Sequence, residues 1–234
     1  MRATVCLPTY NERDNLPRML EALRGVLREG DRVLVIDDDS PDGTGRLADE
    51  LAATHDFVDV LHRGAKEGLG RAYVDGFRRV LETEAELVLE MDCDFSHDPA
   101  DIPRLIAEAE QGADLVLGSR YVPGGGTRNW GLARRLISKG GSLYTALFLH
   151  MGVKDPTGGF KCFRRAVLER LDLDAITPRG YAFQIETTYR VKRLGFRVVE
   201  IPITFVDREV GQSKMSRAVV LEAIWRVPLL RVTG

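Results

Sequence analysis

The chain reads as one α/β domain with a mainly parallel sheet flanked by helices. Three observations predict this. Short apolar runs alternate with helix-length amphipathic segments through the first 118 residues, the pattern of right-handed βαβ units. Successive apolar runs end in polar residues suited to a site at the carboxyl edge of an open sheet. The length of 234 residues, with 44% hydrophobic and 29% charged residues, suits one large globular domain.

Element by element, Ala3–Leu7 is a strand running into Pro8-Thr9-Tyr10-Asn11-Glu12. Asn15–Arg28 is a helix, with Leu16, Leu20, Leu23 and Leu27 at helical spacing. Arg32–Ile36 is a strand ending in Asp37-Asp38-Asp39-Ser40, followed by a Pro41-Asp42-Gly43 turn and a helix over Thr44–Ala53. Val58–Leu61 is a third strand and Leu69–Leu81 a helix opened by Gly68. Glu86–Met91 is a fourth strand, and Pro99–Glu110 a helix with Asp98 as N-cap. Leu115–Gly118 is a fifth strand.

After residue 119 the pattern changes. Val122–Asn129 reads as a Gly-rich loop, Leu132–His150 as a long amphipathic segment and Val153–Phe163 as a second loop. Ala182–Leu194 is a helix and Phe196–Ile203 a strand. Asp207–Lys214 is polar, and Ser216–Val232 is apolar and helical, broken by Pro228. Residues 1–119 and 120–234 read as two halves of one domain, without internal repeats.

Net charge is −2, with no overall pull toward nucleic acid, but the halves differ. Residues 1–117 hold 13 Lys+Arg and 26 Asp+Glu; residues 118–234 hold 20 and 9. An acidic half could carry a metal while a basic half meets an anion, or the halves could neutralise each other across their contact. Cys6, Cys93 and Cys162 are odd in number and far apart, which speaks against a disulfide framework and for a reducing compartment. Met1 is followed at once by the first strand, so no signal peptide is expected, and no apolar run reaches the ~18 residues of a spanning helix.

Asp92-Cys93-Asp94 carries the sharpest chemistry. Two carboxylates leave the fourth strand together, where they can turn toward one point and hold a hard cation such as Mg²⁺ or Mn²⁺. The bland alternative is a pair of ordinary strand-end acids. Ser96 could fill a coordination position, whereas His97 is read as a structural hydrogen-bonder, since these cations prefer oxygen. Asp37, Asp38 and Asp39 repel one another, a cost that a donor-rich ligand would relieve. Glu12 is either a ligand contact or a helix cap. Arg120 leaves a buried strand at the carboxyl edge. Arg208 and Lys214 lie on a Gly- and Ser-containing loop suited to closing over an anion. Leu132–His150 either packs on the sheet or lies in a membrane interface.

Taken together, PTYNE (8–12), DDDSPDGT (37–44), EGLGRAY (67–73), DCD (92–94), GSRY (118–121), TGGFKCFRR (157–165), GYAFQIE (180–186) and the Arg208…Gly211-Gln212-Ser213-Lys214-Met215-Ser216 stretch carry a resemblance. They resemble the inverting family 2 glycosyltransferases of GT-A fold, and among them the dolichyl-phosphate or polyprenol-phosphate mannose synthases. The likeness runs from residue 3 to about 216. It implies transfer of mannose from GDP-mannose to a polyprenyl (dolichyl) monophosphate with inversion. By motif, Pro8, Tyr10, Glu12, Asp37 and Asp39 would hold the nucleotide sugar together with Asp92 and Asp94. Asp92, Asp94 and Ser96 would organise Mg²⁺ or Mn²⁺. Arg120, Arg134, Ser138, Arg208 and Lys214 would handle the diphosphate and acceptor phosphate, with Asp94, Arg120, Arg208 and Lys214 closest to the chemistry. Asp39 and Ser96 stand where relatives often carry Asn and Gln.

The resemblance further implies work at the cytoplasmic face of a membrane, held peripherally by C-terminal amphipathic interface helices or by a separate anchoring subunit. Three competing classes remain at this point. A polyprenyl-phosphate glucosyltransferase using UDP-glucose would share the fold and metal site. A phosphatase of the haloacid dehalogenase type would place its D-x-D after the first strand, where this chain has PTYNE. A non-catalytic nucleotide-sugar-binding module would not need the D-x-D.

Overall fold

The computed structural model describes residues 1–176, 180–207, 227–228 and 230–231. Strand β1 (Ala3–Thr9) leads through helix α1 (Leu16–Arg24) to β2 (Arg32–Asp37), and α2 (Thr44–Ala52) leads to β3 (Val58–His62). Helix α3 (Leu69–Leu81) precedes β4 (Leu87–Glu90), and α4 (Ile102–Glu110) precedes β5 (Leu115–Ser119). A short 3-10 turn over Pro99–Asp101 opens α4, and the Asp98 carboxylate accepts from the Ala100 N–H at 2.9 Å, the expected cap. Helix α1 stops at Arg24, four residues short of the expected end, where Gly25 begins the turn.

The second half adds β6 (Gly126–Arg128), α5 (Leu132–Leu149), β7 (Lys161–Arg164), α6 (Arg165–Arg170), α7 (Gly180–Arg193), β8 (Val198–Pro202) and β9 (Thr204–Val206). The main sheet runs β3-β2-β1-β4-β7-β5-β8, and β6 pairs with β9 in a separate ribbon. All neighbours in the main sheet are parallel except β7, which lies antiparallel between β4 and β5. Two expected loops are therefore corrected: Val153–Phe163 runs into a central strand, and Val122–Asn129 contains an edge strand. A strand of the second half thus completes the sheet of the first.

Two apolar layers sandwich the sheet. On one face α3, α6 and α7 pack Tyr73, Phe77, Val167 and Phe183 against Cys6, Ile36, Val88 and Phe163. On the other, α1 and α4 pack Leu16, Leu20, Leu23, Leu105 and Ile106 against Val5, Val33, Leu89 and Val116. Helix α3 lies so close to β2 that a Cβ on Gly76 would sit 2.3 Å from Ile36 Cδ1. A side chain there would have to displace the Ile36 δ-methyl group within a filled core. All three cysteines are buried and free.

Helix α5 behaves differently. It buries Ser142, Thr145 and Leu149, yet Leu132, Leu136, Leu143 and Leu147 are 60–77% exposed. At ~100° per residue these four fall within about 60° of one another, forming one apolar stripe. The alternative of a helix whose apolar face packs on the sheet is not what is seen. No helix among the described residues is long and apolar enough to cross a membrane.

Candidate functional site

A cleft of about 340 Å³ opens at the carboxyl ends of β1, β2, β4 and β5. Parallel strands converge there and leave their terminal side chains facing a common space. Glu12, Asp38, Asp92 and Asp94 come from the acidic half, and Lys66 with them; Arg120, Arg134, Trp130 and Phe205 come from the basic half. The charge asymmetry of the sequence is therefore a division between contributors to one cleft.

At one end Pro8, Tyr10 and Glu12 line the cleft, with Lys66 Nζ 3.4 Å from the centre of the Tyr10 ring. Glu12 Oε2 accepts from the Asn15 side chain at 2.8 Å, so it does support the start of α1 while facing the cleft. Of the three consecutive aspartates, only Asp38 lines the cleft. It pairs with buried Arg63, which also holds Asp75 and Glu67 at 2.9 Å. Burial raises the Asp38 carboxyl above its ordinary range, and Arg63 opposes that shift.

The expected ligand roles of Asp37 and Asp39 fit this geometry poorly. Asp37 is buried and accepts from Ser40 N (3.1 Å), Ser40 Oγ (2.6 Å) and Thr9 Oγ1 (3.2 Å), so its oxygens build the turn. Asp39 is exposed, in left-handed backbone at φ 55°, and does not line the cleft.

Asp92 and Asp94 do converge on the cleft. Asp94 is buried and Oδ1 accepts from Ser96 N at 3.0 Å; Asp92 is more open. Ser96 Oγ is buried without a hydrogen-bond partner among the described residues. His97 is stacked on Phe160, 4.9 Å between centroids, with Phe205 against its edge. Its Nδ1 accepts from the Asp92 N–H at 3.3 Å, which places the neutral ring's proton on Nε2. Burial pushes the His97 pKa down to about 4. This side chain is the structural hydrogen-bonder expected, holding the D-x-D loop.

That shift has a measurable consequence. Between pH 6.5 and about 4 the unfolded chain binds a proton at His97 that the folded chain refuses. Stability from this group is complete above the unfolded value and is lost as pH falls through the window. We expect the ligand-free protein to lose stability through this group as pH falls from 7.5 to 4. Urea midpoints across that range check this, and His97→Gln should flatten the slope.

On the opposite wall Arg120 is buried and already committed. Its Nε and Nη2 each donate to Asp155 at 2.7 Å, its backbone N–H donates to Asp155 at 2.9 Å, and Nη2 also reaches Thr157 Oγ1 at 2.8 Å. The Arg120 guanidinium holds the Asp155 carboxyl below its usual range. Arg120 therefore faces the cleft as half of an ion pair. Arg134 lies 4.2 Å over the Trp130 ring and donates to Asp207 at 2.7 Å, and its Nε lacks a partner among the described residues. Ser138, one turn on, accepts from Tyr121 OH at 2.7 Å and is not among the residues lining this cleft. Arg208 and Lys214 lie outside the described residues, as does most of Ser216–Val232.

Four participants escaped the sequence reading. Lys66 was passed over among many surface-type charges, and Asp38 was noted with its two neighbours but not singled out from them. Asp155 is the buried partner of Arg120, and no spacing links two residues 35 apart. Gln184, within GYAFQIE, lines the cleft with both amide atoms unpaired among the described residues. Behind it Lys161 Nζ donates to the Gln184 carbonyl at 3.0 Å and faces Glu90 at 4.0 Å. Burial pushes Glu90 up to about 7 and Lys161 down to about 8, with each charge opposing the other's shift.

The profile of Glycosyl transferase family 2 matches residues 4–172. An undecaprenyl-phosphate mannosyltransferase from Micrococcus luteus is 51% identical over 97% of this chain and 93% of its own length. A polyprenol monophosphomannose synthase from Mycolicibacterium smegmatis is 48% identical over the full chain and 88% of its own length. Among solved structures, glucosyl-3-phosphoglycerate synthase from Mycobacterium tuberculosis superposes with TM-score 0.74 at 20% identity, over 99% of this chain and 80% of that one. The Pyrobaculum calidifontis mannosyltransferase solved with GDP-Man and Mn²⁺ superposes with TM-score 0.63 at 20% identity, over 91% of this chain and 58% of that one. These structures share the GT-A fold expected from the motifs, and the close relatives meet the narrower resemblance to polyprenol-phosphate mannose synthases. The chain belongs to glycosyltransferase family 2.

Proposed function

We propose that the protein transfers mannose from GDP-mannose to a polyprenyl monophosphate, with inversion, releasing GDP. The observation that carries this reading is the cleft itself. It joins a D-x-D wall to a wall of Arg134, Trp130 and Arg120, beside a helix whose apolar stripe faces outward. One wall suits a sugar nucleotide and the other an anionic acceptor with a hydrocarbon tail. The two relatives of about 50% identity, named for this kind of reaction, support the same reading.

Asp92, Asp94 and Ser96 would hold Mg²⁺ or Mn²⁺. Their oxygens are the hard donors such cations take, and Ser96 Oγ is a buried oxygen in want of a partner. Among the described residues no cluster of three or more acids, His or Cys could hold a metal alone, so the donor's diphosphate would share the task. A bound cation supplies charge neutralisation to that diphosphate as it leaves. Tyr10, Glu12 and Asp38, with Pro8, form the nucleoside end. Arg134, with Arg208 and Lys214 from the following segment, takes the phosphates.

A phosphate monoester has its second pKa near ~6 and is largely a dianion at neutral pH. It attacks without first giving up a proton, so no general base is required. His97 is neutral and its Nδ1 is occupied, consistent with a holding role. The protein's own contribution is alignment of the acceptor oxygen with the anomeric carbon.

The acceptor's tail stays in lipid, so the cleft must work at a membrane surface. Helix α5 supplies the apolar stripe, with Arg135 and Lys139 lining a shallow basic depression beside it. We read α5 as lying along the membrane surface, and a cytosolic sugar nucleotide would put that surface on the cytoplasmic side. We expect the protein to float with anionic liposomes, and Leu136→Glu with Leu143→Glu to abolish flotation without unfolding. Failure of the wild type to float would point to a separate anchoring subunit. Turnover of a short-chain polyprenyl phosphate, measured side by side with GDP-mannose and UDP-glucose, tests the donor assignment. Mannose transfer is the expected outcome, and faster glucose transfer would replace it with the glucosyltransferase reading.

A further inference from the structure

Gln184 is 3% exposed and lines the cleft, and neither Nε2 nor Oε1 makes a hydrogen bond of good geometry among the described residues, although the amide lies near enough to Glu90 to hold that carboxyl down. Native interiors seldom leave a carboxamide in that condition, so its place in the cleft calls for a functional explanation. Its backbone is held firmly. The Gln184 carbonyl accepts from Lys161 Nζ at 3.0 Å and from Thr188 Oγ1 at 2.9 Å, while Phe183 and Ile185 on either side are buried in the core. Glu90 feels the amide, yet its oxygens also lack a partner of good geometry. In front lies Gly159, where even a Cβ would come within 3.4 Å of Gln184 Nε2 and 3.8 Å of His97 Cε1. The amide thus faces a space kept open by the missing side chain.

Resting on the reading of this cleft as a hexosyl-donor site, we propose that the Gln184 carboxamide binds a hydroxyl of the transferred sugar and helps set donor specificity. A carboxamide presents a donor and an acceptor side by side, the pair that a hydroxyl satisfies. A phosphate offers only acceptors and would leave Oε1 unpaired against like charge. The nucleoside end is served by Tyr10, Asp38 and Lys66, contributed by different elements of the cleft.

The test is Gln184→Leu, which keeps the volume and removes both polar atoms. Calorimetric titration with Mn²⁺ present should show GDP-mannose binding weakened about 5- to 100-fold and GDP binding unchanged within about two-fold. The melting temperature of the ligand-free variant should hold or rise, because an unpaired buried amide is being replaced by an apolar group. A fall in melting temperature would mean that Gln184 is a structural hydrogen-bonder. Equal losses for GDP and GDP-mannose, or unaltered GDP-mannose affinity, would equally overturn the assignment. Wild-type protein that transfers no mannose fails the donor reading. Wild type that transfers mannose while the variant binds GDP-mannose normally fails only the role given to Gln184.

Discussion

Asp94→Ala removes at least ~100-fold of turnover with little cost to folding. In the fold this carboxylate accepts from Ser96 N at 3.0 Å, at the edge of the apolar core. Losing that bond costs about 1 kcal/mol. In the reaction it is one of two carboxylates that would hold the cation, and a lost cation leaves the departing diphosphate unneutralised. Steady-state rates with saturating Mn²⁺, beside melting curves for both proteins, separate the two effects. Normal turnover by the variant in excess chelator would show that the cation is not needed.

The largest expected effect on stability lies at Asp155→Asn. Asp155 is fully buried and accepts three hydrogen bonds from Arg120 and one from Thr157. An asparagine there keeps the shape but leaves the Arg120 guanidinium without its counter-charge. Breaking one side of a buried pair costs about 3–5 kcal/mol. For a chain of this length that lowers the melting temperature by roughly 6–20 °C. Replacing both partners, as in Arg120→Met with Asp155→Leu, should recover much of the loss, because no uncompensated charge remains. A single variant as stable as wild type would show that Arg120 finds another partner. The double variant should still transfer poorly, since Arg120 lines the cleft.

Much of the first half was legible because its signals are local. The run Leu69–Leu81 has helical spacing and a glycine before it, and the helix occupies those residues. Strands β1 to β5 stand where apolar runs end in polar turns. The central strand β7 was illegible because its sequence contradicts its setting. Lys161 is a charge in the middle of a sheet, tolerated because Glu90 and the Gln184 carbonyl meet it. Strands β6 and β9 are three residues each, too short for any alternation to register.

The site divides in the same way. Asp92 and Asp94 were legible because a strand end and a two-residue spacing put both on one edge. Among Asp37, Asp38 and Asp39, position alone could not say which faces the cleft. That choice was made by Ser40 and Thr9, which take Asp37, and by the left-handed turn at Asp39. Ser138 was placed by motif beside the phosphates, and no sequence spacing showed that it also accepts from the Tyr121 hydroxyl.

The most direct measurement is the identity of the lipid product. Purified protein, GDP-mannose, Mn²⁺ and a short-chain polyprenyl phosphate should yield equal amounts of GDP and a polyprenyl phosphate carrying one hexose. The mass should show one added hexose on the phosphate, and NMR should show the anomeric configuration opposite to that of the donor. Retained configuration, or GDP release with free mannose and unchanged lipid, would contradict the account.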